Sequence, residues 1–434
     1  MRVNRQFKVS FFGLGWNPRF SIGGIAALAT IGAVFGIGCD SARRGTRGSP
    51  SDGSSAAETP ASERLLDPDG DRITEAAGDC APLDRDVFPG AAERCNGKDD
   101  NCDGRVDEGC DADGDGYSTE AGDCDDSERL VNPGAFEASG NRVDDDCDGS
   151  VDEANPSCEQ PLPGDAAEFA AAMELCGPWL RAAEWGAEGD PRARAVVPFY
   201  GNTLRPRRGG QMLALSTGMA DPREPGWTLP QPGTSLGRFA PSPFKLDAQN
   251  RNVCGGLLAD PDDVLDPVEL NLTLQAPTNA RSLSFRFYFM SAEYPEWVGS
   301  EFNDKFLAVV HSKAVGGGKP TNVTFDARKN PITVNVGFFS VCESAPICNG
   351  SRKNACGRSV ADLAGSGFEA DDGLGPAGGG TGWLTTTVPV EPGETLTLRF
   401  ALFDEGDDVL DSVVLLDDFE WQITPAESGP VTIQ

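Results

Sequence analysis

The chain has 434 residues and a formal net charge of −32, from 68 Asp and Glu against 36 Lys and Arg. So acidic a chain repels phosphate backbones, which excludes nucleic acid as a partner. A single histidine, His311, leaves almost no imidazole metal chemistry, and thirteen cysteines are expected to serve mainly as disulfides in an oxidising compartment.

Arg2, Arg5, Lys8 and Arg19 form a basic leader before an apolar run from Ile22 to Gly38, which is too short for a comfortable membrane span. Gly36-Ile37-Gly38-Cys39 resembles a lipoprotein signal box, although Gly36 departs from the usual Leu. Residues 1–39 are therefore expected to be a lipoprotein-type signal peptide with Cys39 acylated; an uncleaved signal anchor is the alternative. Residues 40–66, rich in Ser, Ala, Gly and Arg, read as a flexible tether.

Residues 67–158 hold a tandem Asp-rich repeat. From Asp67 to Glu153 there are 21 Asp and 7 Glu against 7 Lys and Arg, a charge of −21. Two such charges about 6 Å apart, at an effective dielectric of roughly 40, repel by about 1.4 kcal/mol, so the segment needs cations to become compact. Hard oxygen donors at alternating positions with a turn glycine suit Ca²⁺. Asp111, Asp113, Asp115 and Gly116 fit the opening of an EF-hand loop, but Gly122 falls where the bidentate Glu belongs and Asp123 follows it. Asp67, Asp69, Asp71 and Asp79 repeat the arrangement, with Arg72 in place of the turn glycine. A second loop type uses Asp99, Asn101, Asp103 and Asp107, and then Asp144, Asp146, Asp148 and Asp152. Several Ca²⁺ ions are expected on these residues. The small apolar complement is internally matched: Ile73 with Tyr117, Val87 with Val131, Val106 with Val151.

These stretches resemble the calcium-wrapping type 3 repeats of thrombospondins. The GDC, NPGA and DDxCDGxVDE tokens, NPGA reading Phe88-Pro-Gly-Ala in the first copy, more closely resemble the bacterial MopE-type metal-binding motif, covering about 67 to 153. That family's copper link gains nothing from a segment without imidazole ligands.

Cysteine pairing follows the repeat. Cys80 and Cys102 correspond to Cys124 and Cys147, so each copy closes one bridge. Cys95 and Cys110 lack counterparts in the second copy and are expected to bond each other. Cys158 and Cys176 remain as neighbours. Cys254, Cys342, Cys348 and Cys356 allow three connectivities.

A connector over residues 159–194 carries a short helix, announced by Asp165 and Glu168 and ended by Gly177-Pro178. Phe169, Met173 and Cys176 share one of its faces. Period-two patterns then dominate residues 195–424. Leu283, Phe285, Phe287 and Phe289 predict a half-buried strand, as do Ile332, Val334, Val336 and Phe338, and Leu396, Leu398, Phe400 and Leu402. Val413 to Leu416 predicts a fully buried one. About ten strands without long helices imply a mainly β chain, an antiparallel jelly-roll-like β-sandwich, followed by a tail over 425–434.

Gly201-Asn202, Leu215 to Gly218, Glu293-Tyr294-Pro295 and the rest of Ser291 to Phe306, Gly382-Trp383-Leu384, and Phe403 to Asp418 together resemble a choice-of-anchor L domain. The resemblance covers roughly 195 to 423 and implies surface display. A second metal site is conceivable at Asp404, Asp407, Asp408 and Asp411, joined by Glu301, Asn303 and Asp304; a solvated acidic turn is the plainer reading.

Catalytic motifs fail on context. Gly233-Thr-Ser235-Leu-Gly237 satisfies GxSxG without the strand and helix of a nucleophile elbow. Gly316 to Thr321 ends like a phosphate loop, but Pro320 splits the Lys-Thr pair. The sequence therefore reads as a bacterial lipoprotein of the cell envelope or surface, anchored to the membrane and binding calcium. Its sandwich would present a binding or adhesion module to an extracellular glycan or protein. The alternatives are a carboxylate-dependent extracellular hydrolase and a metal-sequestering protein.

Overall fold

The protein is described here from a computed structural model, over residues 67–153, 158, 165–186, 189–223, 233–242, 252–256, 261–335, 338–369, 378–426 and 429–434. The expectations for residues 1–66, Cys39 included, lie outside these.

Turns build the repeats. Among the described residues of 67–153 the only helical pieces are two 3-10 turns, Glu75–Ala77 and Thr119–Ala121, one per copy, each closed by a glycine at positive φ. Val87 and Val131 are buried, but Val106 and Val151 are 58% and 54% exposed, so that matched pair adds nothing to a core.

Helix α1 (Asp165–Ala171) is shorter than the sequence suggested. It stops before Glu174, whose φ of 63° is incompatible with a continuing helix. The strands follow in chain order: β1 (Leu180–Trp185), β2 (Arg194–Val197), β3 (Met212–Ser216), β4 (Phe239–Pro241), β5 (Asp263–Gln275), β6 (Ser282–Ser291), β7 (Lys305–His311) and β8 (Thr321–Asn322). After them come β9 (Ile332–Thr333), β10 (Pro346–Ile347), β11 (Arg352–Lys353), β12 (Gly379–Gly380), β13 (Leu384–Pro389), β14 (Thr395–Asp404), β15 (Ser412–Gln422) and β16 (Val431–Ile433).

They form an antiparallel β-sandwich. One seven-stranded sheet runs β1-β5-β14-β7-β8, with β4 on β5 and β9 on β7; the other runs β16-β13-β6-β15-β3-β2, with β12 on β6. Strands β10 and β11 make a separate hairpin. Two sequence boundaries shift. The sandwich begins at β1, inside the expected connector, where Ala183 pairs with Leu272. The expected tail supplies β16, whose Thr432 pairs with Thr386.

The main core lies between the sheets, where Phe285, Phe287, Phe306 and Phe400 meet with ring centroids 5.0–6.3 Å apart. Strand β6 is buried on both faces rather than one. Its outward residues Tyr288 and Met290 pack beneath Val197, Tyr200, Leu363 and Phe368 in a second cluster, a cover that strand periodicity cannot reveal. The strand expected from Ile332 to Phe338 ends after Thr333. There the Asn335 side chain donates to Asn303 Oδ1 at 2.8 Å and accepts from Gly299 N, tying loops together instead of extending the ladder. Val336 lies outside the described residues.

The second repeat docks on the sandwich through the turn between β5 and β6. Asn279 brackets the Phe136 peptide, its Oδ1 accepting from Phe136 N at 3.0 Å and its Nδ2 donating to Phe136 O at 2.8 Å. Thr278 N donates to Gly134 O at 3.0 Å. Phe136 itself joins the main core. The first repeat has an exposed Ala92 where the second has Phe136, and Phe88 where the second has Asn132, so it lacks both the ring that enters the core and the amide that meets Thr278.

Candidate metal centres

Each repeat contains two acidic loops, shaped by carboxylates that accept hydrogen bonds from amides two to five residues ahead. In the second copy Asp111 accepts from Gly114 N at 2.6 Å and Gly116 N at 2.8 Å, Asp113 from Asp115 N at 3.1 Å, and Asp115 from Tyr117 N at 2.8 Å. The first copy repeats this with Asp67, Asp69 and Asp71. These bonds consume one oxygen and leave others pointing inward. Asp69 Oδ2, Asp71 Oδ2, Asp79 Oδ2, Asp113 Oδ2 and Asp123 Oδ2 are buried without a hydrogen-bond partner, so Asp79 and Asp123 close the loops from the far side. Gly116 turns at a φ of 104°, and Arg72 is forced to 82° in the same place, a conformation costing a non-glycine residue about 1–2 kcal/mol.

The later loops follow the same plan with one revision. Asp99 accepts from Gly104 N at 2.8 Å and Asp144 from Gly149 N at 3.0 Å, while Asn101 and Asp146 occupy equivalent places. Asp107 and Asp152, expected as ligands, instead cap neighbouring turns. Asp107 accepts from Asn96 N at 2.9 Å and Gly97 N at 2.8 Å, and Asp152 from Gly140 N at 2.6 Å and Arg142 N at 3.1 Å. Each has a positive φ, 58° and 57°. The next residues take the inward position: Glu108 Oε2 and Glu153 Oε2 are buried and unpartnered. Glu137, which sequence reasoning missed, joins them; its carboxylate collects Asp145 N at 2.6 Å and Asp152 N at 2.9 Å.

Among the described residues four groups bring one acidic oxygen each within 4.8 Å of one another: Asp67, Asp69 and Asp71; Asp111, Asp113 and Asp115; Asp144, Asp146 and Asp148; and Glu137, Asp146 and Glu153. Burial lifts the carboxyls of Asp113, Asp123, Asp146 and Glu137 above their ordinary range, whereas the Gly116 amide draws Asp111 below it. Crowded acids lacking donors suit a hard cation. The donor set is all oxygen, because Cys80–Cys102 and Cys124–Cys147 are disulfides.

The remaining cysteines resolve as Cys158–Cys176, Cys254–Cys348 and Cys342–Cys356. The expected Cys95–Cys110 bridge is absent: both are thiols. Cys95 Sγ lies 3.5 Å from Asp111 O, and hydrogen bonding with Cys95 pushes the Cys110 thiol up to about 12.

The proposed second site separates into two sets. Glu301 is exposed and Asp407 and Asp408 are only half-buried, Asp408 accepting from Ser235 Oγ. Asn303, Asp304, Asp404 and Asp411 are buried, with Glu293 and Glu405 beside them. Asn303 Oδ1 accepts from Asn335 Nδ2 at 2.8 Å and its Nδ2 donates to Glu405 Oε2 at 3.4 Å, so its amide ties these loops together instead of presenting a free oxygen inward. Burial pushes Asp304 up to about 8 and Asp411 up to about 7, and lifts Glu293 and Asp404 well above the carboxylate range. Two ionised carboxylates about 5 Å apart at an effective dielectric of roughly 20 repel by about 3 kcal/mol.

His311 is exposed at the end of β7, its Nε2 2.9 Å from Gly318 O across the hairpin loop to β8. The Gly233–Gly237 stretch is irregular chain on which Ser235 Oγ donates to the Asp408 carboxylate, while the single histidine, His311, meets Gly318 O instead.

Both repeats match the Cu-binding MopE family model. That model, described as a metal-binding motif, covers residues 79–108 and 123–153, and the choice-of-anchor L domain model covers 269–420. The MopE matches start at Asp79 and Asp123, downstream of the first acidic loops, and the anchor-L match is narrower than the sequence resemblance suggested. No curated protein matches the chain. Among solved structures, TmCBM61 in complex with β-1,4-galactotriose has 10% identity and a TM-score of 0.20, covering 55% of this chain and 86% of that one. The K2 cleaved adhesin domain of Lys-gingipain has 12% identity and a TM-score of 0.23, covering 61% and 95%. The enzymatically active domain of bacteriophage CBA120 tailspike protein 4 has 9% identity and a TM-score of 0.18, covering 54% and 19%. Likenesses this distant carry no argument about ligand or activity.

Proposed function

We propose that this is a calcium-binding surface protein, lipid-anchored through Cys39, whose MopE-type repeats are set rigid by Ca²⁺ and hold the anchor-L sandwich out for binding rather than catalysis. The observation that carries the reading is the set of inward, buried and unpartnered carboxylate oxygens, repeated at corresponding places in both copies. Buried charges without donors are costly, and a hard divalent cation removes that cost. Docking of the second repeat on the sandwich favours support over metal storage. In that copy Asn132 donates to Asp115 Oδ2 at 2.8 Å and accepts from Thr278 Oγ1 at 2.5 Å, linking an acidic loop directly to the sandwich.

A ligand, glycan or protein, has a groove of about 1010 Å³ between the second repeat, the α1 segment and the end of β15, lined by Trp179, Trp421, Phe136, Arg208, Gln211 and Glu174. Aromatic faces with a few planar polar groups suit such ligands. A hydrolytic carboxyl pair gains no support there. Burial beside Asp417 pushes Glu174 up to about 8, but Asp417 is occupied by the backbone amides of Arg207, Arg208 and Asp418.

Equilibrium dialysis of Ca²⁺ tests the reading. Asp113→Ala and Asp146→Ala should each lower the number of bound ions by about one, and Cu²⁺ should not displace Ca²⁺; undiminished binding in both variants, or preference for Cu²⁺, refutes it. For the anchor, Cys39→Ala should release the protein from the membrane fraction or block its processing, and unchanged membrane association would remove that part.

A further inference from the structure

One end of the sandwich is closed by acids instead of apolar side chains. Asp304 directly precedes β7 and Asp404 ends β14, neighbours in one sheet, where Phe403 pairs with Lys305. Glu293 lies two residues past β6 and Asp411 directly precedes β15, neighbours in the other sheet, where Ser291 pairs with Ser412. All four are only 1–2% exposed. Each sheet thus sends two carboxylates to the same closed end.

Donors hold these groups from one side only. Asp411 Oδ1 accepts from Thr234 N at 2.9 Å, and Asp304 Oδ2 accepts from Ser412 Oγ at 2.6 Å, a bond that crosses between the sheets. Glu293 Oε2, Asp404 Oδ1 and Asp411 Oδ2 are buried with no hydrogen-bond partner. Gly218 makes room for Asp411, since a Cβ there would stand 2.0 Å from Asp411 Oδ2. The buried cation of this region, Lys305, forms an ion pair with a fifth acid, Glu405. Asp404 thus lies within electrostatic reach of Asp304, Asp411 and Glu293, and among the described residues no lysine or arginine forms an ion pair with any of the four.

We propose that Glu293, Asp304, Asp404 and Asp411 bind a calcium ion that staples the two sheets together at this end of the sandwich. The donors are oxygen alone, with no imidazole or thiolate, which selects a hard cation. Mg²⁺ dehydrates reluctantly and demands near-octahedral geometry, whereas Ca²⁺ accepts about six to eight oxygens in flexible arrangements that include water. These acids do not converge as the repeat loops do, whose oxygens lie within 4.8 Å of one another, so water completes the shell that the carboxylates begin, as Ca²⁺ coordination permits.

The site is independent of the repeats, and the full-length protein can test it. Bound Ca²⁺ per chain and the thermal transition of the sandwich are measured for wild type, Asp404→Asn, Glu293→Gln and the repeat variant Asp113→Ala. The proposal expects Asp404→Asn and Glu293→Gln to lose one ion each and to lose the rise of the sandwich transition that Ca²⁺ gives wild type, with the repeat ions retained. Asp113→Ala should lose a repeat ion and keep that rise. Unchanged ion counts in both sandwich variants overturn the proposal, as does a wild-type sandwich transition that Ca²⁺ does not move. Should neither variant fold, the Ca²⁺ response of the sandwich transition in Asp113→Ala decides alone. Loss of repeat ions with an unresponsive sandwich would sink this inference and leave the calcium reading of the repeats standing; the reverse pattern would do the opposite.

Discussion

Replacing Lys305 with methionine should destabilise the sandwich by about 3–5 kcal/mol, the usual cost of removing one partner from a buried ion pair. Lys305 and Glu405 are each 1% exposed, and Lys305 is the only lysine or arginine among the buried residues described. Without its ammonium, Glu405 is a buried anion in a region that already holds Glu293, Asp304, Asp404 and Asp411. Against a typical total of about 5–15 kcal/mol the loss is large. The same physics gives the control, because replacing both partners with apolar residues removes the stranded charge; Lys305→Met with Glu405→Met should recover most of the stability. Denaturant midpoints with unchanged slopes measure both. A single variant within about 1 kcal/mol of wild type would show that Glu405 is neutral or otherwise compensated.

Calcium removal should open residues 67–153 while the sandwich stays folded. The repeats have little apolar surface to offset chain entropy of about 1–2 kcal/mol per ordered residue: Val87 and Val131 are buried, but Val106 and Val151 are exposed. Disulfides Cys80–Cys102 and Cys124–Cys147 close loops of 22 and 23 residues, each constraining the unfolded chain by about 3 kcal/mol. Ion binding supplies the rest, about 2.7 kcal/mol per site when free Ca²⁺ is a hundredfold above Kd. Limited proteolysis in excess chelator should therefore cut the first repeat before the second, because only the second is held by Phe136 and Asn279. Equal protection with and without Ca²⁺ would mean that the disulfides and turns suffice alone.

Much of this architecture was legible in the residues. Period-two hydrophobicity located β6, β14 and β15 because strand side chains alternate between faces, and the matched cysteines gave the bridge within each repeat. The acidic loops were legible because oxygen ligands on adjacent turns require alternating acids and a glycine. Single residues inside those loops were not. Asp107 and Glu108 are adjacent acids, and only the folded turn, in which the amides of Asn96 and Gly97 engage Asp107, distinguishes it from the buried Glu108. Cys95 and Cys110 are neighbours, as the repeat comparison implied, yet they remain thiols.

Local chemistry alone thus determined the acidic loops, the repeat and the strand periodicity, since each depends on spacings of a few residues. Tertiary structure decided what depends on distant segments meeting. It buried the second face of β6 beneath Phe368 and Leu363, drew β1 and β16 into the sheets, and docked the second repeat on the sandwich through Phe136 and Asn132, where the first repeat has Ala92 and Phe88. It also gathered Glu293 with Asp304, Asp404 and Asp411, residues up to 118 positions apart. Their carboxylates acquire chemistry only where the strand ends of two sheets exclude water around them.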